Sequence, residues 1–378
     1  MEHLKSYFSS HNLAELQLDS YNSFVNRLPS QLKKLRIIVR KRNNETIFAE
    51  MVNVYIDKAY ALDDHRNRYP IKPYETRCRD HSYETSVDVD LLVTTVNNDS
   101  KEVTSSTLLN HFELIKIPVM TRSTLCNVTD PYRDKECCYD YGGYFILNGK
   151  EKILVSQERI SYNLIQIHEV RTKHLLVSEI RSIKPNADYS VLLRAYLTEQ
   201  QHIIVNISYL KADIPLAVLY RCLGIDLSDY LSKYIKRSPK MEYIMRKCIC
   251  PYITLTVDDA YDHIYEHLSK KTSSSRRYIQ QILTSEFLPH LGMWCDSHQK
   301  GMFLGQMVSK MLQVFNKERL PDDRDHMSHK RLELTGELME KLIIGLLRKK
   351  FRHLQKTMEE KGEYDLKSAI GKLRLTSG

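Results

Sequence analysis

The chain has 378 residues, 42% of them hydrophobic, with 56 Lys and Arg against 47 Asp and Glu. That length and apolar content support two or three packed domains and exclude a disordered chain. No run of about eighteen uncharged apolar residues occurs, and residues 1–30 lack the basic start and apolar centre of a signal peptide, so an intracellular protein is expected.

The eight cysteines, at positions 78, 126, 137, 138, 222, 248, 250 and 295, have neither the density nor the spacing of a disulfide framework, and free thiols are expected. The basic excess is local. Ten bases against four acids fall in residues 341–378, so six of the nine excess charges lie there. Such a segment suits a phosphate backbone, an acidic surface or a plain solvated helix face.

In chain order, Asn12 to Val25 carries apolar residues at three- and four-residue steps and predicts a helix. Leu35 to Lys41, Ser86 to Thr95 and Phe112 to Met120 alternate and predict strands. In YFILNGKEKILV, Tyr144 to Leu147 and Lys150 to Val155 flank Asn148-Gly149, the pair best suited to a type I′ turn, so a β-hairpin is expected. Val191 to Thr198 and His202 to Ser208 again look like strands. Pro215 in Ala212 to Ile225 fits a first helical turn. Beyond Asp226 the apolar spacing is helical over 258–291, 299–317 and 331–361, with Lys270 to Arg277 as a loop.

Several motifs are candidates for chemistry. His263-Ile264-Tyr265-Glu266-His267 matches HxxEH, in which two imidazoles one turn apart hold zinc and the glutamate serves as base. No third ligand is identifiable, and an ordinary exposed helix face accounts for the same residues. Cys248-x-Cys250 and Cys137-Cys138 lack the two-residue spacer of a zinc half-site. Phosphate-loop, dinucleotide and nucleophile-elbow signatures are absent. Asp322, Asp323, Asp325 and His326 offer oxygen and nitrogen ligands, yet Arg324 and Lys330-Arg331 can neutralise them. Charge pairing is expected instead, ahead of a helix starting near Lys330 whose positive end the acids would suit.

Taken together, eight segments in order resemble the N-terminal portion of the second-largest subunit of multisubunit DNA-directed RNA polymerases. They are LQLDSYNSFV (Leu16 to Val25), PYETRCRDHSYETSVDVDL (Pro73 to Leu91), IPVMTRSTLC (Ile117 to Cys126) and GGYFILNGKEKILVSQERI (Gly142 to Ile160). YLKADIPLAVLYRCLGI (Tyr209 to Ile225), EFLPHLG (Glu286 to Gly292), DDRDHMSHKRLELTG (Asp322 to Gly336) and the terminal LTSG follow.

The resemblance implies an α+β chain with a protrusion-like module over 1–159 and 331–378, interrupted by a lobe-like module over 160–330. Residues 73–91 would be a strand region. It further implies no catalytic residue, metal or cofactor in this chain, the catalytic magnesium being held mainly by the largest subunit. Implied partners are that subunit, the remainder of the second-largest subunit, DNA and RNA–DNA hybrid, and initiation factors at the lobe, with no membrane. Lys152 and Lys367, and more weakly Arg159, look like lysines and an arginine that approach a nucleic-acid backbone. Short loops at 127–141 and 184–201, and CCYDYGG before the hairpin, suggest a viral or fast-evolving polymerase, working in a nucleus, virus factory or virion. Continuation of the family pattern past LTSG suggests one piece of a split subunit or a truncated product. The alternatives are a zinc peptidase using His263, Glu266 and His267, and a free-standing basic nucleic-acid-binding module.

Overall fold

The computed structural model describes residues 6–7 and 12–361, apart from 42–43, 64, 66, 101, 130–131, 133, 171–173, 185–188, 209, 226–237, 269–274 and 293–294. The chain is α+β and divides into two compact units, one formed by residues 1–157 and 332–378 and the other by 158–331. Among the described residues no helix is long and apolar enough to cross a membrane.

The first unit opens with helix α1 (Glu15–Leu32), which buries Leu18, Tyr21, Phe24, Val25, Leu28 and Leu32. These positions form one stripe at three- and four-residue steps, the apolar face a helix must cover. Strand β1 (Arg36–Arg40) follows, then β2 (Glu45–Ile56), the short pair β3 (Tyr60–Leu62) and β4 (Arg68–Pro70), helix α2 (Pro73–Cys78), β5 (Glu84–Asn97) and β6 (Val103–Pro118). An antiparallel sheet runs β1-β2-β5-β6. Tyr21 is fully buried between helix and sheet, and its hydroxyl donates to the Pro118 carbonyl at 2.8 Å.

The expected strands at 35–41, 86–95 and 112–120 are present as β1, β5 and β6, the last beginning nine residues earlier than the alternation indicated. The region Pro73 to Leu91 is only in part a strand. Pro73 enters a helix that ends at Cys78, because a proline at the first helical position sacrifices no hydrogen bond.

A hairpin of β7 (Phe145–Leu147) and β8 (Lys150–Lys152) is followed by β9 (Gln157–Ile160). In the second unit β10 (Gln166–Glu169), β11 (His174–Ile183), β12 (Ser190–Thr198), β13 (Ile203–Ile207) and β14 (Ile214–Pro215) form an antiparallel meander in chain order. Strand β12 buries every second residue, Val191, Leu193, Ala195 and Leu197, the two-residue period of a one-sided core.

Helices cover that face. They are α3 (Leu216–Cys222), α4 (Pro239–Ile249), α5 (Val257–Glu266), α6 (Ser275–Gln281) and α7 (Ser297–Phe315). The continuous helical pattern expected over 258–291 is broken into α5, α6, a π turn at Ile282–Glu286 and a 3₁₀ turn at Pro289–Leu291. Leu288, just ahead of Pro289, adopts φ 50°, a left-handed conformation that a right-handed helix does not continue through. Of the expected loop 270–277, Ser275 to Arg277 are helical and 270–274 lie outside the described residues. Pro215 precedes α3 as its cap rather than sitting inside its first turn.

Within the second unit Lys300 is 2% exposed. Its Nζ donates to the carbonyls of Leu283, Thr284 and Phe287 at 2.8, 2.7 and 2.9 Å. A π turn leaves carbonyls without helical partners, and the ammonium supplies all three with donors, so the EFLPHLG segment is held by a side chain from α7.

The chain reaches β15 (Lys330–Glu333), which pairs with β9, and ends its described course in α8 (Thr335–Lys361). Helix α8 buries Met339, Ile344, Leu347, Phe351, Leu354 and Met358 against α1 and β1. It begins at Thr335 rather than near Lys330, because Lys330–Glu333 is drawn into strand pairing.

Candidate nucleic-acid interface

The β7-β8 hairpin turns on Asn148 at φ 49° and Gly149 at φ 71°, as the Asn-Gly pair predicts. A Cβ on Gly149 would meet Asp80 Oδ1 at 2.3 Å, so close packing as well as backbone conformation demands glycine. The loop before β5 docks the hairpin from behind. Gly149 N donates to the His81 carbonyl at 2.9 Å, Asn148 N to Ser82 Oγ at 3.1 Å, and Tyr83 N to the Ile146 carbonyl at 2.8 Å.

On β8 all three residues, Lys150, Glu151 and Lys152, are exposed. Strand alternation sends Lys150 and Lys152 to one side and Glu151 to the other. Arg77 takes up the acid, donating from Nη1 to Glu151 at 3.1 Å and to the Tyr144 hydroxyl at 3.3 Å, and from Nη2 to the buried Glu136. Glu151, itself still exposed, is thereby paired with Arg77, and the two lysines stand exposed on the same hairpin strand. Sequence reasoning misses Lys150. The signal that finds it is its position two residues before Lys152 on a hairpin strand.

Lys152 belongs to the first unit and Arg159 to the second. Arg159 is half-buried, with its guanidinium 4.1 Å from the Tyr162 ring centroid and Nη1 donating to the Ile160 carbonyl at 3.2 Å. It is engaged within its own segment. Lys367 lies outside the described residues.

The acidic cluster at 322–326 ties a loop. Asp322 accepts from Arg319 at 2.5 Å and from Ile167 N at 2.9 Å, while its own N–H donates to the Ile167 carbonyl at 2.7 Å. Asp323 accepts from Asp325 N at 2.9 Å, and its carbonyl lies 2.7 Å from His329 Nδ1. Lys330 reaches Glu158 at 2.8 Å and Asp325 at 3.5 Å. The pairing differs from that expected. Of the three bases Lys330 reaches the cluster, whereas Arg324 lies 3.9 Å from Glu179 and Arg331 donates to the Ser328 and Lys330 carbonyls. Arg319 takes Asp322. The acids also precede a 3₁₀ turn and a strand rather than a helix N-terminus.

His263 and His267 stand with ring centroids 5.2 Å apart, His267 just past the end of α5. Among the described residues no three His, Cys, Asp or Glu side chains are grouped to hold a metal. All eight cysteines are free thiols. Burial pushes the Cys222 thiol up to about 12 and the Cys248 thiol up to about 11, so neither is a thiolate near neutrality.

The chain is α+β, and strand β8 of its hairpin exposes Lys150, Glu151 and Lys152. Its residues 12–374 match the family model described as RNA polymerase beta subunit, and the chain belongs to that family. It is similar to DNA-directed RNA polymerase II subunit 2 of Arabidopsis thaliana, 28% identical over 99% of this chain and 35% of that protein. Subunit Rpo2 of Saccharolobus solfataricus is 26% identical over 90% of this chain and 30% of its own length. A probable RNA polymerase II subunit RPB2 homolog of Invertebrate iridescent virus 3 is 24% identical over 98% and 37%. The chain spans about a third of the length of the curated relatives it matches, corresponding to the N-terminal part of the second-largest subunit. The zinc-peptidase and free-standing-module alternatives find no support.

Proposed function

We propose that the chain serves DNA-directed transcription as the protrusion and lobe of a polymerase's second-largest subunit, the first unit being protrusion-like and the second lobe-like. Its work is positioning. The observation that carries this reading is the braced β7-β8 hairpin, whose Lys150 and Lys152 point away from the fold while Arg77 holds Glu151. Ammonium groups so placed neutralise phosphates and release counterions, giving affinity without sequence preference. Lys367 is assigned the same role, and Arg159 a lesser one because Tyr162 already engages it.

In this reading bond-making belongs to the largest subunit, which holds the catalytic magnesium, and this chain contributes no catalytic residue or cofactor. Its partners are that subunit, the rest of the second-largest subunit, DNA and RNA–DNA hybrid, and initiation factors on the lobe. It works where the template is, in a nucleus or a viral factory or virion.

The test is template retention by the assembled polymerase across a salt series. Every phosphate deprived of its ammonium partner reduces the slope of log affinity against log salt by about 0.9 on duplex DNA. Replacing Lys150 and Lys152 by Ala, and separately Lys367, should weaken retention and flatten the slope. Unchanged retention at every salt concentration would refute the backbone contact, and a chain that purifies without a large polymerase subunit would refute the assembly.

A further inference from the structure

The loop leading into the β7-β8 hairpin carries a feature that charge neutralisation does not use. Tyr132 and Tyr139 are 79% and 83% exposed, and Tyr141 is 44% exposed. The backbone beneath Tyr139 and Tyr141 is fastened. Asp140 N and Arg122 Nη2 both donate to the Cys137 carbonyl, at 3.1 and 3.2 Å. Gly142 N donates to Asp140 Oδ1 at 2.8 Å, and Asn12 Nδ2 to the Tyr141 carbonyl at 3.3 Å. On a fixed backbone a tyrosine has two side-chain angles left to order, so its ring meets a ligand at low entropic cost.

A run of hydrogen bonds joins this loop to β8. The Tyr144 hydroxyl donates to Asp140 Oδ2 at 2.7 Å and accepts from Arg77 at 3.3 Å, and the same guanidinium donates to Glu151 and Glu136. Each carboxylate of this network, those of Glu136, Asp140 and Glu151, has a donor within it. Lys150 and Lys152, on either side of Glu151, are exposed and form no ion pair among the described residues.

Exposed rings beside unpaired ammonium groups select the occupant. The bases of a duplex are stacked on one another, so it offers phosphates to the lysines and nothing to the rings. A single strand offers both, a charged backbone and bases whose faces are open, and surfaces that hold such strands combine positive charge with aromatic side chains. We propose that this surface holds single-stranded nucleic acid, with a base stacked on Tyr139, further bases within reach of Tyr132 and Tyr141, and phosphates at Lys150 and Lys152. The inference rests on the backbone contact assigned to the hairpin and narrows its ligand to an unpaired strand.

The test uses the full chain with a fluorescent oligothymidylate and a DNA duplex of equal charge, read by anisotropy across a salt series. Saturable binding is expected, tighter for the single strand. Tyr139→Ala should weaken single-strand binding by about fivefold or more, the loss of one stacked base, while its salt slope and the duplex affinity stay unchanged. Tyr139→Phe keeps the ring and should bind as the parent does. Lys150→Ala with Lys152→Ala should instead flatten the single-strand slope by about 0.7 for each lost phosphate contact. If the lysine pair acts and Tyr139→Ala does not, stacking is overturned and the backbone contact stands. If neither acts, or the strand does not bind saturably, both readings fall. Displacement by polyglutamate of matched charge as readily as by unlabelled strand would assign the surface to an acidic protein and overturn the proposal. Should Tyr139→Ala fail to fold, a strand carrying 5-iodouracil, photo-crosslinked to the unaltered chain, decides. Crosslinks at Tyr132, Tyr139 or Tyr141 are expected, and crosslinks confined elsewhere would overturn it.

Discussion

Ser20 of α1 and Gly336 of α8 lie 316 residues apart in sequence and in contact in space. Gly336 N donates to Ser20 Oγ at 3.0 Å, and a Cβ on Gly336 would meet the Ser20 carbonyl oxygen at 2.0 Å. Next to it, Thr335 Oγ1 donates to Gln17 Oε1 at 2.5 Å. The first turn of the returning helix therefore sits directly on the backbone of the first helix.

Gly336→Ala must push those two helices apart. Overpacking of this kind costs about 1–3 kcal/mol, and urea denaturation should show that loss. Ser20→Ala keeps the close approach and removes one hydrogen bond, so its effect should be smaller, about 1 kcal/mol. Equal stability of Gly336→Ala and the parent would mean that the two helices have room to spare at this crossing.

Lys300→Met removes the donor to three carbonyls while keeping the volume of the side chain. Leaving buried acceptors unpaired should cost about 2–4 kcal/mol. Hydrogen exchange is the measurement of choice, because amides around 282–292 should lose protection first. Loss spread evenly over both units would contradict a local fastening role.

Acid should weaken the second unit through two histidines. Burial lowers the pKa of His168, helped by the positive charge of Arg324 and Arg194 and opposed by Glu179 and Asp322. Burial also lowers that of His290, helped by Lys300, with Nδ1 2.7 Å from Ser182 Oγ. A folded pKa below the unfolded value of about 6.5 means that the unfolded chain binds more protons as pH falls. The stabilising contribution is complete above that pH and is lost as pH drops through the folded values. Denaturation midpoints should fall on acidification below about pH 6.5, and His290→Gln should flatten that dependence. A midpoint independent of pH in that range would refute it.

Gly149→Ala places a side chain at φ 71° and against Asp80. The left-handed backbone alone costs about 1–2 kcal/mol, and the clash adds to it. Strand pairing from Phe145 to Lys152 should be disturbed, and template retention by the assembled polymerase should fall even though no charge has changed. Asn148→Gly should be far milder, since glycine accepts the same turn.

Elements fixed by neighbours in sequence were legible before the fold was seen. The Asn148-Gly149 turn carries its backbone requirement in two residues, and β12 shows its inward face in alternate positions. What depends on distant partners was not legible. Lys330–Glu333 looks like the start of a helix until Gln157–Ile160 pairs with it, and β2 is identified as central only once β1 and β5 flank it. The same divide runs through the candidate interface. Lys152 stands out from a hairpin that local residues define. The pairing of Glu151 depends on Arg77, 74 residues earlier. Lys367 lies outside the described residues.

The chain leaves its first unit along Gln157–Ile160 and comes back along Lys330–Glu333, and those two strands are neighbours in one ribbon. An excursion that departs and rejoins at adjacent strands is a loop in the wiring of its parent, however large it grows. The host's own connections, among them the helix pair that Ser20 and Gly336 hold together, are made entirely by residues outside that excursion.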